Sequence, residues 1–191
     1  AKSPSKRYQS AAELAEAILA KLKPGAQAAH VGWQAVLNWN YAGEWAKSNL
    51  AGKKLLDAKL PLDTATARQL HMYMAENYGR IGQRANAVES WKAARKISDS
   101  PYLHGRQITD MYSANAKGSE IEAEVANYFK SYPDQADRFL LQGYAALAYL
   151  REEGGKDKGL ALIRQILPHE AQSHNLASVF VRNTATEEQP M

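Results

Sequence analysis

Met74-Ala75-Glu76-Asn77-Tyr78, then Gly82, then Ala87-x-x-x-Trp91-x-x-Ala94 is the most informative run in the chain. Apolar and small residues recur at helical spacing on both sides of Gly82, which predicts two helices folded back on one another. Ala75 and Ala87 are small enough for antiparallel helices to approach closely. Tyr78 and Trp91 are bulky enough to fill the space beside them. Gly82 supplies the left-handed backbone that ends the first helix.

Working outward, the same grammar continues. Helices are expected at about 26–41, 44–58, 63–80, 84–97, 102–116, 119–131, 135–152, 157–167 and 170–182. Turn chemistry separates them: Pro24-Gly25, Pro61-Leu62-Asp63, Gly82, Ser100-Pro101, Gly118-Ser119, Pro133-Asp134 and Gly154-Gly155. Ser10-Ala11-Ala12-Glu13 and Ser119-Glu120-Ile121-Glu122 both have capping-box spacing. The first is expected to open a helix with Leu14, Ile18 and Leu22 on one face. No stretch alternates in the period-2 manner of a strand. The class is therefore all-α. Trp45, Tyr78, Trp91 and Phe129 are the expected core aromatics.

Pro101, Pro133 and Pro168 follow successive helix pairs at spacings of 32 and 35 residues. Those spacings bracket the roughly 34-residue period of tetratricopeptide repeats. The run from Arg68 to Pro101 resembles that family on its small residues, its Tyr78, its turn Gly82 and its Ala87-x-x-x-Trp91-x-x-Ala94 string. His71 departs from it, standing where the family has Trp, and the closing proline arrives two residues late. Residues 29–61, 102–135 and 136–169 match more weakly. The resemblance implies a right-handed superhelix of antiparallel helix pairs spanning 26–182, with a flexible tail at 183–191.

The N-terminal string Ala1-Lys2-Ser3-Pro4-Ser5-Lys6-Arg7-Tyr8-Gln9-Ser10-Ala11-Ala12-Glu13-Leu14 carries a second resemblance. It is similar to the last helix of bacterial eukaryotic-type Ser/Thr kinase domains, which implies that residues 1–23 are the tail of an upstream catalytic domain. The kinase's glycine-rich loop, Val-Ala-Ile-Lys, His-Arg-Asp and Asp-Phe-Gly elements are all missing from this chain. Arg7, which pairs with a glutamate in that family, is expected to face solvent.

Elsewhere the residues argue against chemistry. His169-Glu170-Ala171-Gln172-Ser173-His174 resembles a zinc-protease signature with one residue too many. Histidines five apart stand about 140° apart on a helix and cannot chelate together. His30, His71 and His104 are isolated. Gly155-Lys156-Asp157 and Gly52-Lys53-Lys54 lack the first glycine and the hydroxyl residue of a phosphate loop. Glu152-Glu153 are neighbours on a helix, hence splayed, and read as a solvated terminus. There are no cysteines, so thiolate metal sites and disulfides are excluded. No enzyme activity and no cofactor or metal is expected.

The net charge is +4. Residues 1–60 hold nine Lys/Arg against four Asp/Glu, and the remainder fifteen against sixteen. The basic residues are spread among alanines, as on a solvated helix face, rather than concentrated in a stripe with aromatics, so no nucleic-acid partner is expected. No apolar run approaches the roughly 20 residues of a membrane span.

The expected partner is a protein or peptide lying in the concave groove lined by the first helix of each pair. The candidate contacts are Trp33, Asn40, Gln69, Met72, Glu76, Arg80, Arg106, Asp110 and Ser113. Glu76 and Asp110 stand where the family's carboxylate clamp is basic or amide, so the groove is mixed in charge. A homo-oligomer is compatible with this pattern. The sequence therefore predicts an interaction scaffold, the regulatory or docking region of a bacterial kinase, in the cytoplasm. The alternative is a free-standing helical-repeat assembly factor of the bacterial envelope, hence periplasmic.

Overall fold

The computed structural model describes residues 3–135 and 138–169. Among these it contains nine α-helices, a 3-10 turn at Leu167–His169 and no strand. The helices are α1 (Pro4–Leu19), α2 (Ala26–Tyr41), α3 (Trp45–Asp57), α4 (Thr64–Arg80), α5 (Arg84–Ile97), α6 (Pro101–Ser113), α7 (Gly118–Ser131), α8 (Arg138–Arg151) and α9 (Lys156–Ile166). No described helix is long and apolar enough to cross a membrane. The helix expected at 170–182 and the tail at 183–191 lie outside the described residues. Two compact units divide the chain, Ala1–Leu103 and His104–Met191, and the division falls inside α6.

In the first unit each helix packs on its sequence neighbour, α1 through α5 in turn, and α2 also touches α4. The turns after α2 and α4 are built alike. Gly43 and Gly82 take φ of 78° and 77°. The next residues, Glu44 and Gln83, take φ/ψ of −88°/61° and −87°/60°. The Glu44 amide donates to the Trp39 carbonyl (3.0 Å) and the Gln83 amide to the Tyr78 carbonyl (2.8 Å), the long bond of a Schellman closure. A Cβ at either glycine would meet nothing within 4 Å. The glycine requirement there is conformational, since the left-handed region costs other residues about 1–2 kcal/mol.

The core of this unit joins Ala12, Val36, Trp39, Ala51, Leu55, Leu70 and Met74, with a second cluster of Ala75, Trp91, Ala94 and Leu103. Close approach of α3 to α4 requires Gly52, whose Cβ would lie 2.9 Å from Leu70 Cδ1. A buried polar link crosses the same contact. Ser48 Oγ donates to the Val36 carbonyl (3.0 Å) and accepts from Asn77 Nδ2 (3.2 Å), tying α2, α3 and α4 together. Trp91 is fully buried, as expected. Tyr78 and Trp45 are only half-buried. Tyr78 packs on the edge of the core, and Trp45 lies beneath the Arg80 guanidinium, 5.5 Å from it.

The N-terminal helix corrects two expectations. It begins at Pro4 rather than Ser10, because proline's fixed φ and missing N–H suit the first helical position. Ser10 is therefore interior and its hydroxyl donates to the Lys6 carbonyl, not to a cap. Its buried face is Ala12 and Ala15, while Leu14 and Ile18 are 61% and 42% exposed. The small residues let α1 lie close on α2, where Trp39 Nε1 donates to Glu16 Oε1 at 3.1 Å. Arg7 is exposed.

In the second unit α7 packs on α8 and α8 on α9, around Ile108, Ile121, Val125, Tyr128, Leu141, Ala145 and Ile163. Phe129 is half-buried rather than central. Asn115, at φ 58°, takes the left-handed place after α6, and the Ala116 amide donates to the Met111 carbonyl at 3.0 Å. This ends α6 three residues before the expected limit. Gly154, at φ 74°, stands in the turn after α8. The second capping box does not form either. Helix α7 starts at Gly118, whose amide donates to Glu152 at the end of α8. Glu152 is thus a half-buried anchor and not a solvated terminus. A Cβ on Gly118 would lie 2.6 Å from the Tyr149 ring, so the close helix contact needs glycine there.

Candidate functional site

Two turns of α4 present Gln69, Met72, Tyr73 and Glu76 around a recess of about 200 Å³. The spacing of three and four residues puts all four side chains on one helical stripe. Leu70, Met74, Ala75 and Asn77 take the buried side of the helix, and Met72, at the edge of the stripe, also packs against the cluster of Ala75, Trp91, Ala94 and Leu103. Behind Tyr73 stands Trp33 of α2, its ring 5.8 Å from that of Tyr73. Tyr41, at the end of α2, meets Tyr8 of α1 at a tilt, the ring centroids 5.5 Å apart. Tyr102, at the start of α6, donates to Glu76 Oε1 at 3.4 Å and meets Trp91 edge-on. A strip of aromatic rings thus runs over the outward faces of α1, α2 and α4 within the first unit.

Burial holds the Tyr73 phenol above its ordinary value, with its hydrogen bond to Tyr41 and the nearby Glu76 charge adding to the shift. At neutral pH Tyr73 is therefore a neutral hydroxyl, able to donate as well as accept. Glu76 carries the negative charge of the recess. Its other oxygen lies 3.9 Å from Arg80 Nη2. Arg80 itself also donates to Asn77 Oδ1 at 3.4 Å and covers Trp45.

The residues singled out from the sequence fall in several places. Gln69, Met72 and Glu76 line the recess, and Trp33 stands against its Tyr73 wall. Arg80 is exposed and engaged with Glu76, Asn77 and Trp45. Asn40 is half-buried. Arg106, Asp110 and Ser113 belong to the second unit. Asp110 is only 2% exposed and so is not open to a ligand, Arg106 is half-buried, and Ser113 returns its hydroxyl to the Thr109 carbonyl. The tyrosines at 8, 41, 73 and 102 were absent from the expected set. Tyr73 lies four residues from Gln69 and could have been found by completing that stripe, whereas the others depend on which helices become neighbours.

A second polar cluster lies on α7–α9. Tyr149 donates to Glu122 Oε2 at 2.7 Å, and Lys158 Nζ donates to the same oxygen (2.6 Å) and to the Tyr149 hydroxyl (2.7 Å). The lysine's hydrogen bond holds Glu122 below its usual carboxylate value. Burial pushes Tyr149 up, and the bonds to Glu122 and Tyr149 push Lys158 up. This arrangement welds three helices together. His104 is fully buried beside Tyr128, with Nε2 2.6 Å from Glu124 Oε1, while His71 is half-buried and its pKa is lowered by that burial. Among the described residues no three His, Asp or Glu side chains converge to hold a metal ion. No protein-family model, curated protein or solved structure matches the chain.

The polar cluster fixes a pH response. Glu122, with its lowered pKa, adds stability above its ordinary 4.5 that is lost as pH falls through the folded value. Tyr149 and Lys158, both raised, add stability below their ordinary 10.0 and 10.5 that is lost as pH rises toward their folded values. Melting temperatures across pH should therefore show an acid limb that flattens in Glu122→Gln and an alkaline limb that flattens in Lys158→Met. Wild-type limbs retained in both variants would contradict the cluster's role.

Proposed function

We propose that the chain is a protein–protein interaction scaffold of tetratricopeptide-like type, which receives a peptide segment at the recess formed by Gln69, Met72, Tyr73 and Glu76. The observation that carries this reading is the recess itself, an aromatic-walled hollow on the outward stripe of a first helix. Supporting it, α2 packs on α3, α4 on α5 and α8 on α9, and left-handed residues stand at 43, 82, 115 and 154 in the turns after α2, α4, α6 and α8. The intervals of 39, 33 and 39 residues depart from the family's even period. A right-handed superhelix with unequal repeats is the arrangement we propose. Tyrosine and tryptophan suit such a surface because they offer large contact area with few rotatable bonds.

The kinase-tail string at residues 1–14 supports placing this scaffold after a bacterial Ser/Thr kinase domain as its docking or regulatory region. The outward Leu14 and Ile18 of α1 suit a helix that a preceding domain covers. The envelope assembly factor is the alternative. The native gene upstream of codon 1 decides between them: a catalytic domain is expected, and a secretion signal in its place contradicts the kinase reading.

Panning a random-peptide display library on the full chain tests the scaffold reading. Enriched peptides should lose about tenfold or more in affinity on Tyr73→Ala, the loss of one aromatic anchor being worth about 2 kcal/mol. They should be indifferent to Lys92→Ala on the exposed face of α5. No enrichment, or equal loss from both variants, would contradict it.

A further inference from the structure

We infer that the α4 recess is a receptor for a single cationic side chain, lysine or arginine, presented by a peptide of the partner. The inference rests on the scaffold reading above and names the chemistry of that same site. Size is the first argument. A hollow of about 200 Å³ falls below the roughly 300–1,000 Å³ of pockets that take drug-sized ligands. It suits one long side chain rather than a nucleotide or a folded cofactor.

Charge is the second. Glu76 is the one ionised residue among the four that line the recess. Its present contacts are long, 3.4 Å to the Tyr102 hydroxyl and 3.9 Å to Arg80 Nη2. A carboxylate accepts at about four lone-pair positions, so most of that capacity is unused. Its side chain is 30% exposed, open enough to be reached and sheltered enough for an added charge-assisted bond to count. An acidic or phosphorylated side chain would meet Glu76 as a like charge: among the described residues that line the hollow none is Lys or Arg, and Arg80 beside it is already engaged with Glu76, Asn77 and Trp45.

The walls are the third argument. Lysine and arginine carry an apolar stem and a charged tip. Met72 and the Tyr73 ring offer the stem an apolar surface, and the tip then lies between the Glu76 carboxylate and the Tyr73 face. Aromatic faces attract cations through the ring quadrupole. Gln69, one turn before Tyr73, supplies an amide carbonyl as a further acceptor.

The test uses the full chain and peptides enriched from a random heptapeptide display library. Binders should share a Lys or Arg at one position. Resynthesis with norleucine for that lysine, or citrulline for that arginine, should weaken binding about tenfold or more, the scale of one lost hydrogen bond to a charged group. Glu76→Gln should weaken it by a similar factor, and Glu76→Lys should shift fresh selections toward Asp or Glu at that position. Glu89→Gln, on the exposed face of α5, should change nothing. Melting curves matching wild type confirm that each variant is folded. Binders that depend on Tyr73 but carry an apolar, acidic or phosphorylated anchor, and ignore Glu76→Gln, overturn this inference and leave the scaffold reading standing. A library that yields no binders overturns both.

Discussion

The left-handed residue that closes α2, and again α4, is the constraint on which the first unit depends. At Gly43 and Gly82 it reverses the chain within three residues, and the next amide returns to a carbonyl five residues back. That reversal places α3 against α2 and α5 against α4. It also leaves α4 free to meet α2 and α3 on its other side. The buried link from Val36 through Ser48 to Asn77 fixes their register. With the register set, Leu70, Met74 and Asn77 face inward, Gln69, Tyr73 and Glu76 face out, and Met72 lies between recess and core. The recess is thus a consequence of where the turn falls, and its chemistry follows from the four residues that the turn sends to the surface.

Helix positions were largely legible in the sequence because their signals are local. The limits 26–41 and 84–97 match the structure, α1 starts six residues early, and the other described helices differ by one to three residues. The largest differences have identifiable causes. α6 ends early because Asn115 adopts the left-handed conformation that asparagine tolerates better than most residues. Pro101 opens α6 instead of ending its predecessor, as proline's preference for the first helical position allows. Both Ser-x-x-Glu strings were misleading. A proline upstream of one and a glycine upstream of the other start the helix earlier, and a serine inside a helix has no orphan amide to cap.

Which face of a helix is buried was less legible. In α1 the larger apolar residues Leu14 and Ile18 point outward, and Ala12 and Ala15 face α2. Close approach between helices rewards small residues, so the hydrophobic stripe and the packed stripe need not coincide. The candidate site was legible in proportion to its locality. Gln69, Met72 and Glu76 follow from position along one helix, and Trp33 from its place on a first helix. Tyr8, Tyr41 and Tyr102 join the strip only because α1, α2 and the start of α6 come near α4. Asp110 shows the converse, since counting positions from one repeat to the next placed it outward where the fold buries it.

Replacing Gly82 by L-alanine and, through chemical ligation, by D-alanine tests the turn constraint most directly. Nothing lies within 4 Å of the added Cβ, so packing is held constant and only the backbone preference changes. The L-alanine protein should lose about 1–2 kcal/mol of stability, and the D-alanine protein, for which positive φ is the favoured region, should match or exceed wild type. Equal stability of the L-alanine protein and wild type would contradict the account.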